Sequence, residues 1–133
     1  MQAEEEYLRL LFQSTTTDQG IFIGDNLTMT CQGIEQDRLL QVVFNSTKNA
    51  IIVISETVYL NNTHTNCTKK YARIRVTCSR SNKQETVHLA IQFVNENDTG
   101  IYVCRLLSYE ARNLMAEESI SVTVIGMHAI DLF

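Results

Sequence analysis

The residues best equipped for chemistry in this 133-residue chain are four cysteines, Cys31, Cys67, Cys78 and Cys104, and three histidines, His64, His88 and His128. A thiolate beside an imidazole is a nucleophile, and the two together hold zinc. The spacing suits neither. Structural zinc sites show close ligand pairs such as C-x-x-C, whereas the nearest two cysteines here are Cys67 and Cys78, and the histidines are scattered. An even cysteine count in a small chain points to two disulfides, with three connectivities open. With all four thiols in bridges, no nucleophile is left. The carboxylates offer little more. Glu4, Glu5 and Glu6 form a solvated terminal run. Glu117 and Glu118 read as a strand edge rather than an acid/base pair. Asp25, Asp37 and Asp98 fall at turns, where Asp satisfies local backbone. The G-x-S-x-G, Walker, H-E-x-x-H and dinucleotide patterns are absent from the sequence. These residues predict no enzyme, no metal and no cofactor.

A second chemistry is covalent modification. Acceptor motifs of the form N-x-S/T stand at Asn26, Asn45, Asn61, Asn66 and Asn97. Polar loops rich in Asn and Thr produce single matches by chance. Five beside paired cysteines predict an extracellular glycoprotein, at the cell surface or secreted. The net charge of -4 argues against nucleic acid, which needs clustered Lys and Arg. The nearest basic run, Lys69, Lys70, Arg73 and Arg75, reads as a solvated loop and strand edge. No apolar stretch reaches the ~18 residues of a membrane span. The start, Met1-Gln2-Ala3-Glu4, is not a basic, apolar leader. The expectation is a mature segment with leader and anchor outside it, so that any membrane attachment runs through a segment outside this chain. The competing reading is a cytosolic domain with reduced cysteines, which predicts no mobility change on glycosidase treatment.

The elements that must carry these residues repeat with period two, punctuated by Gly, Asn, Asp and Ser. Leu27, Met29 and Cys31 alternate with Thr28 and Thr30. Further strands are expected at 38–44, 50–54 with a continuation at 58–60, 73–78, 86–93, 101–106 and 119–125. Residues 8–12 and 21–23 form a broken strand near the front, although 4–12 also fit a short helix. Residues 45–49 and 79–84 read as turns, and 61–70 and 108–117 as loops. Proline is absent. Eight to nine short strands with no long helix predict an all-β sandwich. The expected organisation is an N-terminal tail at 1–6, one domain at 7–125 and a C-terminal stalk or tail at 126–133.

The segment Asp98-Thr-Gly-Ile-Tyr-Val-Cys104 resembles the D-x-G-x-Y-x-C signature of immunoglobulin V-type domains. Gly24-Asp-Asn-Leu-Thr-Met-Thr-Cys31 resembles the strand B of that family, and the likeness extends over residues 7–125. It implies a V-type β-sandwich of two antiparallel sheets with Greek-key connections. Asp98 and Gly100 would make the turn before strand F, and Tyr102 would bond backbone near that turn as a tyrosine corner. Arg73, at the start of strand D, would pair with Asp98. Cys104 would bridge to Cys31, leaving Cys67–Cys78 as a second bridge. The family packs a Trp from strand C on its disulfide, and this chain has none. Counting twelve residues on from Cys31 puts Val43 in that place. The missing aromatic could cost ~3 kcal/mol or more, which the second bridge, worth about 2–3 kcal/mol, would offset.

Domains of this type bind with the sheet of strands G, F, C and C′. If Val43 and Cys104 face the core, Leu40, Val42 and Phe44 face outward on strand C, with Ile101, Val103 and Arg105 beside them on strand F. A register slip of one would bury the first three instead. The F–G loop adds Tyr109, Arg112, Leu114 and Met115. The expected glycans lie around the periphery, with Asn45 in the C–C′ turn. The implied function is binding another protein, a cell-surface or secreted immune protein; self-association as a homodimeric adhesion module is the alternative. The Trp-less strand C and extra disulfide resemble the costimulatory receptors of T lymphocytes, although their proline-rich F–G motif is missing and the second cysteine pair is placed differently. Ile101-Tyr-Val-Cys-Arg105 resembles natural cytotoxicity receptors. Divergent, heavily glycosylated V-type domains also occur in immune-evasion proteins of large DNA viruses, so both a host receptor and a viral mimic fit.

Overall fold

Alternation between apolar and polar side chains decides which way each strand faces. A computed structural model describes residues 10–15, 20–34, 38–46, 51–59, 73–81, 84–108 and 111–126. One antiparallel sheet is built from β1 (Leu10–Ser14), β3 (Leu27–Ile34), β6 (Ile74–Ser81) and β7 (Gln84–Ile91), in the order β1-β3-β7-β6. The other contains β4 (Arg38–Ser46), β5 (Ile51–Tyr59), β8 (Gly100–Ser108) and β9 (Leu114–Val122), in the order β5-β4-β8-β9. A short β2 (Ile21–Phe22) pairs in parallel with β10 (Val124–Ile125). Consecutive strands β3 and β4, β5 and β6, and β7 and β8 lie in different sheets, so the chain passes between the two sheets three times in Greek-key fashion.

Leu27, Met29 and Cys31 of β3 and Val87, Leu89 and Ile91 of β7 face Leu40, Val42, Phe44, Tyr102, Cys104 and Leu106 of the second sheet. A disulfide between Cys31 and Cys104, Cα–Cα 6.4 Å, ties the two layers through the middle of this core. Gly33 leaves room beside it: a Cβ there would lie 3.1 Å from Leu40 Cδ1 and 3.4 Å from Leu106 Cδ1. Cys78 is also disulfide-bonded. Cys67, its expected partner, lies outside the described residues.

The turn into β8 is held by three residues. Asp98 is buried in a short 3-10 turn, Glu96–Asp98. Its carboxylate accepts from Arg73 Nη1 at 3.1 Å, Arg73 Nη2 at 2.8 Å and the Asn95 backbone N–H at 2.8 Å. The hydrogen bonds that the Arg73 guanidinium donates to Asp98 are the main reason its pKa is raised. The stability this raised pKa contributes is fully present below the ordinary arginine value and is lost only as pH rises through the raised one, far above neutral. Tyr102 donates its hydroxyl proton to the Asp98 carbonyl at 2.9 Å. Gly100 has φ 157°, and a Cβ there would meet Asn45 O and Phe44 Cε1, each at 2.7 Å, so only glycine fits. Tyr102→Phe is expected to lower stability by about 1 kcal/mol, because it orphans one buried carbonyl; urea denaturation measures it.

The structure corrects several expectations. On β4 the residue opposite Cys104 is Val42, and it is Val42 rather than Val43 that shares the inward face with Cys104. Leu40, Val42 and Phe44 are therefore core residues and not a binding patch, and Val43 points the other way. The aromatic that β4 does place in the core is Phe44, whose ring stacks on Tyr102 with centroids 4.5 Å apart. The segment 108–117 is not a long loop. Leu114 and Met115 already belong to β9, and Arg112 at φ 56° tightens the hairpin. Asn45 lies within β4 rather than in a turn. Residues 51–59 form one continuous strand with a bulge opposite Val42 and Val43, and β6 runs on to Ser81.

Candidate protein-binding face

The outer surfaces of the two sheets differ sharply in chemistry. On the β1-β3-β7-β6 sheet, Thr28, Thr30, Gln32, Thr86, His88, Arg75, Thr77 and Ser79 alternate with the core residues. Thr30 Oγ1 and His88 Nδ1 lie 2.9 Å apart there. Apart from Leu11 of β1, 43% exposed opposite Gln32, this is the ordinary polar face of a half-solvated antiparallel sheet. The outer face of β5-β4-β8-β9 is different. Its residues fall in transverse rows fixed by register.

One row is charged: Glu56 of β5, Gln41 of β4, Arg105 of β8 and Glu117 of β9 stand side by side. Gln41 Nε2 donates to Glu56 Oε2 at 2.7 Å. Arg105 Nε lies 3.2 Å from Glu117 Oε1, close enough for an ion pair. Apolar rows flank it. On one side are Leu39, Leu107 and Leu114, and on the other Val53, Val43 and Val103 followed by Ser119. The central members are covered: Val43 is 2% exposed and Val103 9%. The rim is open, with Leu114 at 55%.

The β8–β9 hairpin adds a cation at one end of the face. Arg112 N–H donates to Ser108 O at 2.8 Å and Ser108 N–H to Asn113 O at 2.9 Å, which closes the turn. The Arg112 side chain reaches Glu56 Oε2 at 2.9 Å. These ion pairs are all partly exposed, and such pairs are worth about 1 kcal/mol or less. A partner could therefore re-pair Arg105, Arg112, Glu56 or Glu117 at small loss.

Of the residues predicted from sequence, the face brings together Val103, Arg105, Arg112 and Leu114, while the half-buried Met115 falls at the register shift between Leu114 and Ala116. Leu40, Val42 and Phe44 are absent from it, and Tyr109 lies outside the described residues. Sequence reasoning missed Leu39, Gln41, Val43, Glu56 and Leu107. Gln41 held the signal: it is the one polar residue in Leu39–Phe44, and a buried polar residue is disfavoured without a partner. Placing Gln41 outward sends Leu39 and Val43 with it and Leu40, Val42 and Phe44 inward. Asn26 precedes β3 on the polar side, Asn97 sits in the 3-10 turn, and Asn61 and Asn66 lie outside the described residues.

Among the described residues, no group of three His, Cys, Asp or Glu is placed to hold a metal ion. No described helix is long and apolar enough to cross a membrane.

No family model matches the chain, and no curated protein matches it. The fold is widely shared: 1903 solved chains match, so the fold alone selects no partner. One is a chain from photo-crosslinking work on multimeric cell-adhesive interactions of VGSC beta subunits. It is 14% identical, with a TM-score of 0.62, covering 79% of this chain and 87% of that one. The likeness shows an immunoglobulin-like β-sandwich.

Proposed function

We propose that residues 7–125 are a V-type protein-binding ectodomain of an extracellular glycoprotein, and that it binds with the outer face of β5-β4-β8-β9. One observation carries this reading: one sheet of the sandwich turns Thr, Gln, His and Arg to solvent, while the other turns Leu39, Val43, Val103, Leu107 and Leu114 outward around a charged row. Leu39, Val43, Val103 and Leu107 are at most 9% exposed, so the open part of this face is Leu114 beside the charged row. An exposed apolar side chain set among orientable charges suits an interface. A charged row through the middle supplies orientation and selectivity. The V-type assignment is supported by β5 in the place of strand C′ and by the parallel β2–β10 pair. The Cys31–Cys104 bridge supports an oxidising compartment. The Cys67–Cys78 bridge and the occupied Asn motifs belong to the same reading.

The partner proposed is a cell-surface or secreted immune protein, with the chain acting as a receptor or as a viral counterpart of one. A multimerised, mammalian-expressed chain is expected to bind one leukocyte type saturably, and to lose that binding in an Arg105→Glu, Leu114→Asp double variant. No binding to any cell would contradict the leukocyte partner.

A second reading, homophilic adhesion, is favoured by the multimeric cell-adhesive interactions of the VGSC beta subunits that share this fold. Sedimentation separates the two. A monomer at micromolar concentration supports a different partner, and a tight dimer supports self-association.

A further inference from the structure

Asn45 occupies an unusual place for an acceptor of N-linked sugar. It is the first residue of Asn45-Ser46-Thr47, yet it lies in β4 and not in a turn. Phe44 before it faces the core, so Asn45 points outward, and it is exposed. Its register partners are Ile51 on β5 and Ile101 on β8. Neighbouring strands are about 4.8 Å apart, so the two isoleucines flank it closely on both sides. Both are exposed, Ile51 to 67% and Ile101 to 43%. An apolar pair left bare in water beside a sequon is the arrangement that a sugar ring would complete. The C–H faces of a hexose are apolar, and laying one on isoleucine removes hydrocarbon from water.

The same juxtaposition occurs elsewhere. Phe93, 71% exposed, donates its backbone N–H to Asn26 Oδ1 at 3.3 Å. That contact engages the oxygen of the amide and not the nitrogen a sugar would take.

The geometry points to an N-linked glycan on Asn45 whose first sugars cover Ile51 and Ile101, closing this end of the outer face to a protein partner. The inference rests on the extracellular reading above. In the modifying step the Asn45 Nδ2 bonds to the anomeric carbon of a lipid-pyrophosphate-linked oligosaccharide. The C1–O bond to pyrophosphate breaks, the lipid pyrophosphate leaves with the bonding pair, and the amide proton passes to base. The consequence is asymmetry within one face. The partner's footprint is confined to the end that carries Leu114, Arg112, Arg105 and Glu117.

The test uses the chain secreted from mammalian cells. Glycopeptide mass analysis is expected to find Asn45 occupied. Hydroxyl-radical labelling then compares the glycosylated protein, the folded protein after enzymatic removal of the sugar, and a Thr47→Ala variant that lacks the sequon but keeps Asn45. Labelling of Ile51 and Ile101 is expected to rise about threefold in the two sugar-free forms, with Leu114 unchanged as the internal control. Sugar on other asparagines but none on Asn45 overturns this inference and leaves the extracellular reading standing. A chain with no sugar anywhere overturns both. An occupied Asn45 with unchanged Ile51 and Ile101 labelling overturns the shielding.

Discussion

Replacing Cys31 and Cys104 together by alanine is expected to lower the unfolding free energy by about 4 kcal/mol. The bridge closes a loop of sequence separation 73, and in the chain-entropy model a loop of that size loses about that much freedom when crosslinked. The effect is large because domains are marginal, with total stabilities of about 5–15 kcal/mol. Both sulfurs also sit at 0% exposure among Met29, Val87, Leu40 and Leu106, so the double variant leaves a small void as well. Urea denaturation of the double variant under oxidising conditions isolates this bridge. Chemical reduction would not, since Cys78 is bonded too. A loss under about 1 kcal/mol would mean that the sandwich is held by its apolar core and that the bridge adds little.

Phe44→Ala is expected to destabilise by about 3 kcal/mol or more, the usual range for removing a buried phenyl ring. The ring is 4% exposed, stacks on Tyr102 and closes over Gly100. Removing it opens a cavity at the point where β4 meets the turn before β8, next to the Asp98 cluster. Tyr102, the aromatic stacked on the ring, is held in place by its hydroxyl bond to the Asp98 carbonyl and is not free to fill the space. The outcome also separates two registers of β4. A core Phe44 predicts a large fall in thermal midpoint with binding per folded molecule preserved. An outward Phe44 predicts the reverse, a stable protein that no longer binds.

The register of β4 shows how far the sequence could be read. β3 and β7 carry clean alternation, so their inward faces follow directly from the residues: Leu27, Met29 and Cys31, then Val87, Leu89 and Ile91. β8 is apolar at nearly every position, and only the Tyr102 and Cys104 motif gives its inward face. The turn before β8 was legible because Asp98, Gly100 and Tyr102 each have a short-range task that only a few residue types perform. β4 is different. Leu39-Leu-Gln-Val-Val-Phe44 is apolar at every position but one, so hydrophobicity gives almost no parity, and a fixed count from Cys31 landed one residue late. A one-residue error inverts every side chain on a strand. It sent Leu40, Val42 and Phe44 to the surface and hid Leu39 and Val43 from view. The bulge in the β4–β5 pair between Val42 and Val43 further uncouples the two strands' parities.

Hairpin length was misjudged for a related reason. Arg112, Asn113 and Glu110 look like loop residues, and the strand beyond them starts with Leu114-Met-Ala116 followed by Glu117 and Glu118. Glu117 and Glu118 read only as a strand edge, with the strand itself placed from Ser119 on. In the structure Glu117 is an outward strand residue paired with Arg105, so its charge is compatible with the sheet edge. The polar row itself was invisible in sequence because its members come from four strands and only the register aligns them.

The central claim is that one outer face binds and the other does not. Paired charge substitutions on each of the two sheets test it most directly. Leu114→Asp with Arg105→Glu alters the β5-β4-β8-β9 face, and Thr30→Asp with Thr77→Lys alters the polar sheet. Each pair is placed in the same secreted, multimerised protein, with folding checked by thermal midpoint. Saturation binding to the responding cells is expected to fall at least about tenfold for the first pair, the loss of about 1.4 kcal/mol, and to stay unchanged for the second. Equal binding by the first pair, or a loss confined to the second, would contradict the assignment of the face.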